Sequence, residues 1–424
     1  MNDTIYALSS GQPPAAIAVV RVSGPDSLVA LETLAGAKPQ PRRAHLVELA
    51  DRGDPLDRAL VIWFEAPNTA TGDDLVEFHL HGGRAVVAGV EAALSRIPGL
   101  RAAEPGEFTR RAFDNGRIDL AEAEGLADLL SAETQSQRRA ALRLAGGSLS
   151  RQVLAWTERL LALAAVIEAR LDFSDEGDVG EGLPLSWEEE RSRLAGEVSA
   201  LLARPPAERL RDGIRVVIAG PPNVGKSTLL NALAGWEAAI TSAAPGTTRD
   251  LIDAPVSLGG VPFVLTDSAG LRESEDSVEA IGVARAQSAL ASADLVLWLG
   301  EPVAKPRRPG VLTVASRADL VGASPDADLS VSAVTGEGMA ALSERLVAES
   351  RGLLPNEREV SANARQRAAL SEAFDHLASA AANDDLLIVA EELRRARLAL
   401  DRVTGRAGVE DMLDALFGRF CIGK

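Results

Sequence analysis

The run Gly220-Pro221-Pro222-Asn223-Val224-Gly225-Lys226-Ser227 has the spacing G-x-x-x-x-G-K-[ST], and its residue types suit phosphate chemistry. Gly220 and Gly225 leave backbone N–H groups free to wrap a phosphate. Lys226 supplies a point charge for the β- and γ-phosphates, and the Ser227 hydroxyl suits Mg2+. Val216, Val217 and Ile218 predict a strand before this loop, and a helix is expected from Lys226, which sets the phosphate at a helix N-terminus. Three more groups follow in the order a GTP site needs. Gly246-Thr247-Thr248-Arg249-Asp250 offers a threonine to Mg2+ and the γ-phosphate, in a loop able to close. Asp267-Ser268-Ala269-Gly270 ends a strand with a carboxylate for the metal shell, and the Gly270 N–H can sense the γ-phosphate. Arg317-Ala318-Asp319 sets Asp319 against guanine N1 and N2, while the N–H of Ala333, after Ser332, could read O6. Each group alone reads as readily as a capped turn; their order makes the set a GTPase signature. Leu271 stands where many GTPases carry a water-orienting glutamine. Glu279, in the same segment, is the candidate for that task, against the plainer reading of a solvated helix charge. The expected GTP-binding set is therefore Asn223, Val224, Gly225, Lys226, Ser227, Thr228, Ser242, Thr247, Thr248, Asp267, Gly270, Asp319 and Ala333.

Such a site needs strands that alternate with helices. Ile214–Ala219, Phe263–Asp267, Leu295–Leu299, Val311–Ala315 and Leu329–Ser332 read as those strands, which argues a mostly parallel sheet. Ahead of them the texture differs. Ile17–Val22, Ala59–Phe64 and Asp74–His81 are β-rich runs separated by Pro- and Gly-bearing loops. From Leu120 apolar residues recur at helical spacing through Leu142, Val153, Leu160 and Ile167. The acidic segment Asp172–Gly182 interrupts this, Trp187–Leu202 resumes it, and Pro205-Pro206 ends it. Helical periodicity returns near Asn363 and runs almost to the end. The expected fold class is multidomain, α/β and all-α: an N-terminal α/β domain (1–117), a discontinuous helical domain (118–210 and 351–424), and a P-loop GTPase domain inserted between its halves (211–350).

Bulk properties bound the rest. The 424 residues exceed one compact core, and 46% hydrophobic with 25% charged residues is the balance of a globular protein. A net charge of −17 speaks against sequence-blind nucleic-acid binding, though not against a local basic patch. Cys421 is the single cysteine, so an intramolecular disulfide and a thiolate zinc site are excluded. No run approaches the roughly 20 apolar residues that cross a bilayer, and Met1–Gly24 lacks a signal-peptide pattern, so the cytoplasm is the default location and no membrane contact is expected.

Taken together, the motifs G-P-P-N-V-G-K-S, A-P-G-T-T-R-D and D-S-A-G-L-R-E resemble those of the MnmE (TrmE) family of tRNA modification GTPases. The resemblance covers nearly the whole chain. Arg21-Val22-Ser23-Gly24, Thr71–Gly83, P-G-E-F-T-R-R-A-F and R-I-D-L-A-E-A-E match the family's folate-binding N-terminal part, and Phe420-Cys421-Ile422-Gly423-Lys424 matches its C-terminus. The resemblance implies a homodimer that binds a tetrahydrofolate one-carbon derivative. With an FAD-containing MnmG-type partner, in a heterotetramer, it adds aminomethyl or carboxymethylaminomethyl groups at C5 of wobble uridine in tRNA. It further implies that potassium, held by Asn223, Ser242, Ala244 and Thr247, activates GTP hydrolysis. Ser227 and Thr248 would hold Mg2+, Glu279 would position water with Lys226 on the phosphates, and Cys421 would serve the modification chemistry. Arg21, Glu77 and Arg117 would line the folate site.

Plainer readings stand beside these. Arg21 could end a strand as a solvated charge, Arg110-Arg111 could form a solvated face as readily as meet an anion, and Cys421 could be inert apolar packing. His79 and His81 share a strand face, but two histidines without a third ligand are more often structural. A switch in ribosome or RNA assembly would share the GTPase motifs without explaining the N-terminal part or the F-C-I-G-K end. A third reading makes the GTPase domain a weak relic, against which stand the intact Lys226, Ser227, Thr248 and Asp267. Three features depart from the family, one of them near Gly11–Ala16, where its glycine-rich pattern is altered. Ser316-Arg317-Ala318-Asp319 replaces Asn-Lys-x-Asp, and serine cannot both donate and accept as an amide does, so weaker anchoring of base and loop is expected. Only Gly300–Gly310 joins two predicted parallel strands, where a crossover normally needs about a dozen residues and a helix.

Overall fold

The computed structural model describes residues 3–172, 183–236, 253–268, 287–356, 359–407, 410–418 and 420–423. By contacts the chain forms two compact units, Met1–Ala127 with Asp401–Lys424, and Asp128–Leu400.

The first unit is built on a six-stranded sheet of β1 (Thr4–Leu8), β2 (Ile17–Ser23), β3 (His45–Asp51), β4 (Asp54–Phe64), β5 (Leu75–His81) and β6 (Leu100–Ala102), in the order β3-β4-β5-β2-β1-β6. All neighbours are antiparallel except β1 and β6. Strand alternation sends Val76, Phe78 and Leu80 of β5 into the core with Val20, Val22, Val61 and Trp63. Helices α1 (Ser27–Ala35) and α2 (Arg84–Leu94) bring Leu31, Leu34, Val90 and Leu94 to that core. The alternate residues Glu77, His79 and His81 point to the other face. Helices α3 (Glu107–Asp114) and α4 (Leu120–Leu130) follow, and Phe113 and Leu120 pack with Phe417 and Phe420 from the C-terminal stretch.

The second unit starts with helices α5 (Gln135–Ala145), α6 (Ser148–Asp172), α7 (Leu185–Leu202) and α8 (Glu208–Asp212). Its sheet contains β7 (Ile214–Ala219), β8 (Asp253–Leu258), β9 (Val261–Asp267), β10 (Leu295–Trp298), β11 (Val311–Ala315) and β12 (Leu329–Ser330), ordered β12-β11-β10-β7-β9-β8. Every pairing is parallel except the edge strand β8 on β9. Helices α9 (Lys226–Trp236) and α10 (Met339–Ser350) bring Leu229, Leu233, Leu342 and Leu346 to a core with Val216, Ile218, Phe263 and Leu265. Helices α11 (Ala364–Ala381) and α12 (Leu386–Thr404) complete the helical part. Asn363 starts α11 with a capping box to Gln366, which accounts for the predicted helical start there.

Two readings need correction, and a third, the link too short for a crossover helix, is met. The strand expected over Leu329–Ser332 is only Leu329–Ser330, because Ser332 turns back and its Oγ accepts from Val334 and Thr335 N–H groups at 3.3 and 3.1 Å. The stretches β1, β3, β6 and β8 were missed among the runs read as strands. The Gly300–Gly310 link holds a single short 3-10 turn, Pro302–Ala304, and Arg308 donates to the carbonyls of Leu290 and Ala293, so fixed loop contacts stand in for a crossover helix.

Candidate functional site

The phosphate loop leaves β7 and enters α9 as its spacing predicts. Gly220 sits at φ +151°, and a Cβ there would lie 2.4 Å from the Leu299 carbonyl oxygen, so only glycine passes. Asn223 adopts φ +61°, a left-handed conformation that asparagine tolerates better than most residues. Lys226 is buried and curls back over the loop, donating from Nζ to the carbonyls of Pro221 at 2.8 Å and Gly220 at 3.2 Å. The Ser227 hydroxyl donates to Asp267 Oδ2 at the end of β9. Serine and aspartate oxygens converge there on one spot, the hard-oxygen donor set Mg2+ prefers.

Beside this loop lies a cavity of about 150 Å³ lined by Gly225, Thr228, Ser316, Arg317, Asp319 and Ala333, among others. Its outer wall is tied to the phosphate loop. Ser316 Oγ donates to the Val224 carbonyl at 2.6 Å, and Arg317 donates to the Asn223 carbonyl at 2.6 Å from a backbone at φ +61°. Loop anchoring is thus kept, through one serine hydroxyl and the Arg317 guanidinium in place of an amide. Ser242, Ala244, Thr247, Thr248, Gly270 and Glu279 lie outside the described residues, as does Leu271.

In the first unit the sheet register sets Arg21 opposite Glu77, and Arg21 Nε donates to Glu77 Oε1 at 2.9 Å. Arg21 is therefore not a lone solvated charge. His79 Nε2 meets Glu77 Oε2 at 3.1 Å, whereas His81 pairs with Asp57 at 2.7 Å. Arg117 stands exposed in the turn after α3, held by its backbone N–H on the Ala112 carbonyl, with no side-chain hydrogen bond to Arg21 or Glu77. The solvated-face reading of Arg110-Arg111 is corrected for Arg111 and stays open for Arg110. Arg111 is 2% exposed and donates to Asp3 and Glu107, while Arg110 pairs with Asp414 at 2.8 Å. This explains the P-G-E-F-T-R-R motif. Glu107 accepts from the Glu104 N–H at 2.9 Å and binds Arg101 and Arg111. Burial alone would push its carboxyl up, but these hydrogen bonds outweigh burial and hold it below its ordinary range. At Gly106, φ +72°, a Cβ would meet the Phe417 carbonyl oxygen at 2.1 Å.

The C-terminal tail is fastened to this unit. Ile422 bridges Pro105, and Ser9 Oγ donates to the Gly423 carbonyl at 2.8 Å. Cys421, just before them, is exposed, which corrects the reading of it as apolar packing. Neither the Ser9 tie nor the Glu77–His79 contact was singled out from the sequence; the only signal for the latter was the shared strand face.

A phosphate loop between strand and helix, a serine–aspartate oxygen pair and a cavity beside them define a P-loop nucleotide-binding protein with helices and a second α/β unit on the same chain. Two family models match: "GTP-binding protein TrmE N-terminus" over residues 4–117 and "MnmE helical domain" over residues 120–421. Among curated relatives, the tRNA modification GTPase MnmE of Novosphingobium aromaticivorans is 56% identical, covering 100% of both chains. That of Rhizorhabdus wittichii is 58% identical over 100% of this chain and 97% of its own. That of Erythrobacter litoralis is 57% identical over 100% of both. The chain belongs to the MnmE (TrmE) family. Among the described residues, no helix is long and apolar enough to cross a membrane.

Proposed function

We propose that this chain is a GTPase that couples GTP hydrolysis to modification of C5 of the wobble uridine in tRNA, working in the cytoplasm. The observation that carries this is the shaped phosphate loop, with Lys226 folded over it and Ser227 on Asp267, in a chain similar to tRNA modification GTPases from end to end. We assign 1–117 to a folate-binding and dimerisation domain, 118–210 and 351–424 to the helical domain, and 211–350 to the GTPase domain.

In the GTPase domain, Lys226 trades its two loop carbonyls for the phosphates when nucleotide enters. Ser227, with Thr248, holds Mg2+, and Asp267 supports it. Asn223, Ser242, Ala244 and Thr247 hold potassium, Gly270 senses the γ-phosphate, and Glu279 orients the attacking water. The cations supply positive charge where negative charge develops between β- and γ-phosphates. Asp319 accepts from the guanine edge in the cavity, and the Ala333 N–H reads O6. In the first unit, Arg21 and Glu77 offer paired donors and acceptors to the pterin of a tetrahydrofolate one-carbon derivative, with Arg117 at the rim; the half-exposed Arg21–Glu77 pair fits such a ring. An FAD-containing MnmG-type partner completes a heterotetramer with the homodimer, and the exposed Cys421 serves the modification step.

Two measurements test this. GTP hydrolysis at matched ionic strength should be faster in potassium than in sodium, and equal rates refute the cation's role. Nucleoside analysis of tRNA from cells lacking the protein should show unmodified wobble uridine, restored by the wild-type chain; unchanged tRNA refutes the substrate.

A further inference from the structure

The polar row on the open face of the first sheet is longer than the pair assigned above. Glu77 has both carboxylate oxygens engaged: Oε1 accepts from Arg21 at 2.9 Å, and Oε2 meets His79 Nε2 at 3.1 Å. A carboxylate offers only acceptors, so the shared hydrogen belongs to Nε2, and in that tautomer Nδ1 carries a lone pair. Arg21, Glu77 and His79 side chains are 32, 15 and 29% exposed, so the row is held in place yet reachable. His81, on the same face, is spoken for by Asp57, which binds both its ring and its backbone N–H.

The sheet also relates this row to the tail. His79 lies opposite Val19 on β2, and the Val19 carbonyl accepts from the Ser9 N–H at 2.7 Å. Ser9 in turn fastens Gly423. Strands are about 4.8 Å apart, so the tail anchor stands about 10 Å from His79 across the sheet.

We propose that His79 is a ligand-contacting, specificity-determining residue of this site, whose Nδ1 accepts a hydrogen bond from a ring N–H of a reduced-pterin one-carbon carrier. The inference rests on the folate reading of the Arg21–Glu77 site given above. Glu77 then has two tasks: it accepts from the ligand through its remaining lone pairs, and it holds the His79 tautomer that presents an acceptor. Reduced pterins carry several ring and amino N–H donors, so a row of acceptors beside one arginine matches their edge.

Calorimetric titration of 5-formyltetrahydrofolate into the full-length protein tests this, with His79→Leu and His79→Gln as variants. Leucine keeps a strand-compatible side chain but offers no polar atom; glutamine offers an amide donor to Glu77 and a carbonyl acceptor outward. His79→Leu should raise the Kd about tenfold, while His79→Gln should stay within about threefold of wild type. GTP hydrolysis should be unchanged in both, and circular dichroism should match wild type. Wild-type binding with no loss in His79→Leu overturns the inference alone. Equal losses in both variants also overturn it, because His79 would then act by packing. No binding by the wild type overturns the folate reading, and the inference with it.

Discussion

Ser316 makes a single bond that stands in for an amide's several. Its hydroxyl donates to the Val224 carbonyl and so joins the wall of the base cavity to the phosphate loop. Ser316→Ala should leave that carbonyl without its partner and weaken GTP binding by a net ~0.5–1.5 kcal/mol, roughly two- to twelvefold in Kd by titration. An unaltered Kd would mean that the Arg317 tie to Asn223 is sufficient alone. Asp319 acts on the base itself. Asp319→Asn should cost GTP on the order of 1.5–3 kcal/mol and improve XTP, because xanthine offers a carbonyl where guanine offers an amine. Equal binding of ATP and GTP by the wild type would remove the basis of this selectivity.

At the scale of elements, α3 shows how one helix organises a unit. Glu107 in its first turn receives the Glu104 N–H and the guanidinium groups of Arg101 and Arg111. Its carboxyl is held below its ordinary range in the folded state, so it contributes stability that is present above its unfolded pKa and lost as pH falls through the folded one. The first unit should therefore melt at lower temperature as pH drops below about 4.5. Glu107→Gln should lower the neutral-pH melting temperature, at a cost on the order of 1–3 kcal/mol, and flatten the acid limb. Parallel acid limbs in variant and wild type would exclude Glu107 as its source. The same helix start depends on Gly106, whose positive φ and contact with the Phe417 carbonyl admit no side chain. Edge strands were harder to read. Pro255 within β8 is tolerable because, among the described residues, that strand borders only β9, whereas a proline counts against a strand when position in the sheet is unknown.

Over the whole molecule, the chain's two ends meet. Asp401–Lys424 belongs to the same compact unit as Met1–Ala127, and Ser9 and Pro105 fasten the tail just after an exposed Cys421. An accessible thiol can act as a nucleophile or acid/base, which a buried one cannot. Reconstituted with tRNA, the flavoprotein partner and the folate donor, Cys421→Ser should hydrolyse GTP at the wild-type rate yet modify tRNA poorly. Full modification would show that the tail serves only to close the unit. Loss of hydrolysis would tie the thiol to the GTPase instead.

The sequence by itself determined the phosphate loop, its strand and helix, and the order of the parts around it, because these depend on contiguous residues with fixed backbone demands: glycine at Gly220 and Gly225, a lysine and a hydroxyl at the helix start. The same holds for the start of α11, where the Asn363 cap and Gln366 are three residues apart. Tertiary structure alone decided which distant groups meet. Arg111 looks like a surface cation in the sequence and is buried because Asp3, more than a hundred residues away, receives it. Glu77 becomes the centre of a row because β2 pairs with β5 in one register, and a slip by one residue would turn Arg21 to the other face. Ser316 replaces an amide only because its hydroxyl falls within 2.6 Å of a carbonyl in a loop 92 positions earlier. Local chemistry is written in neighbouring residues, but register, burial and long-range hydrogen bonds exist only once the chain has packed.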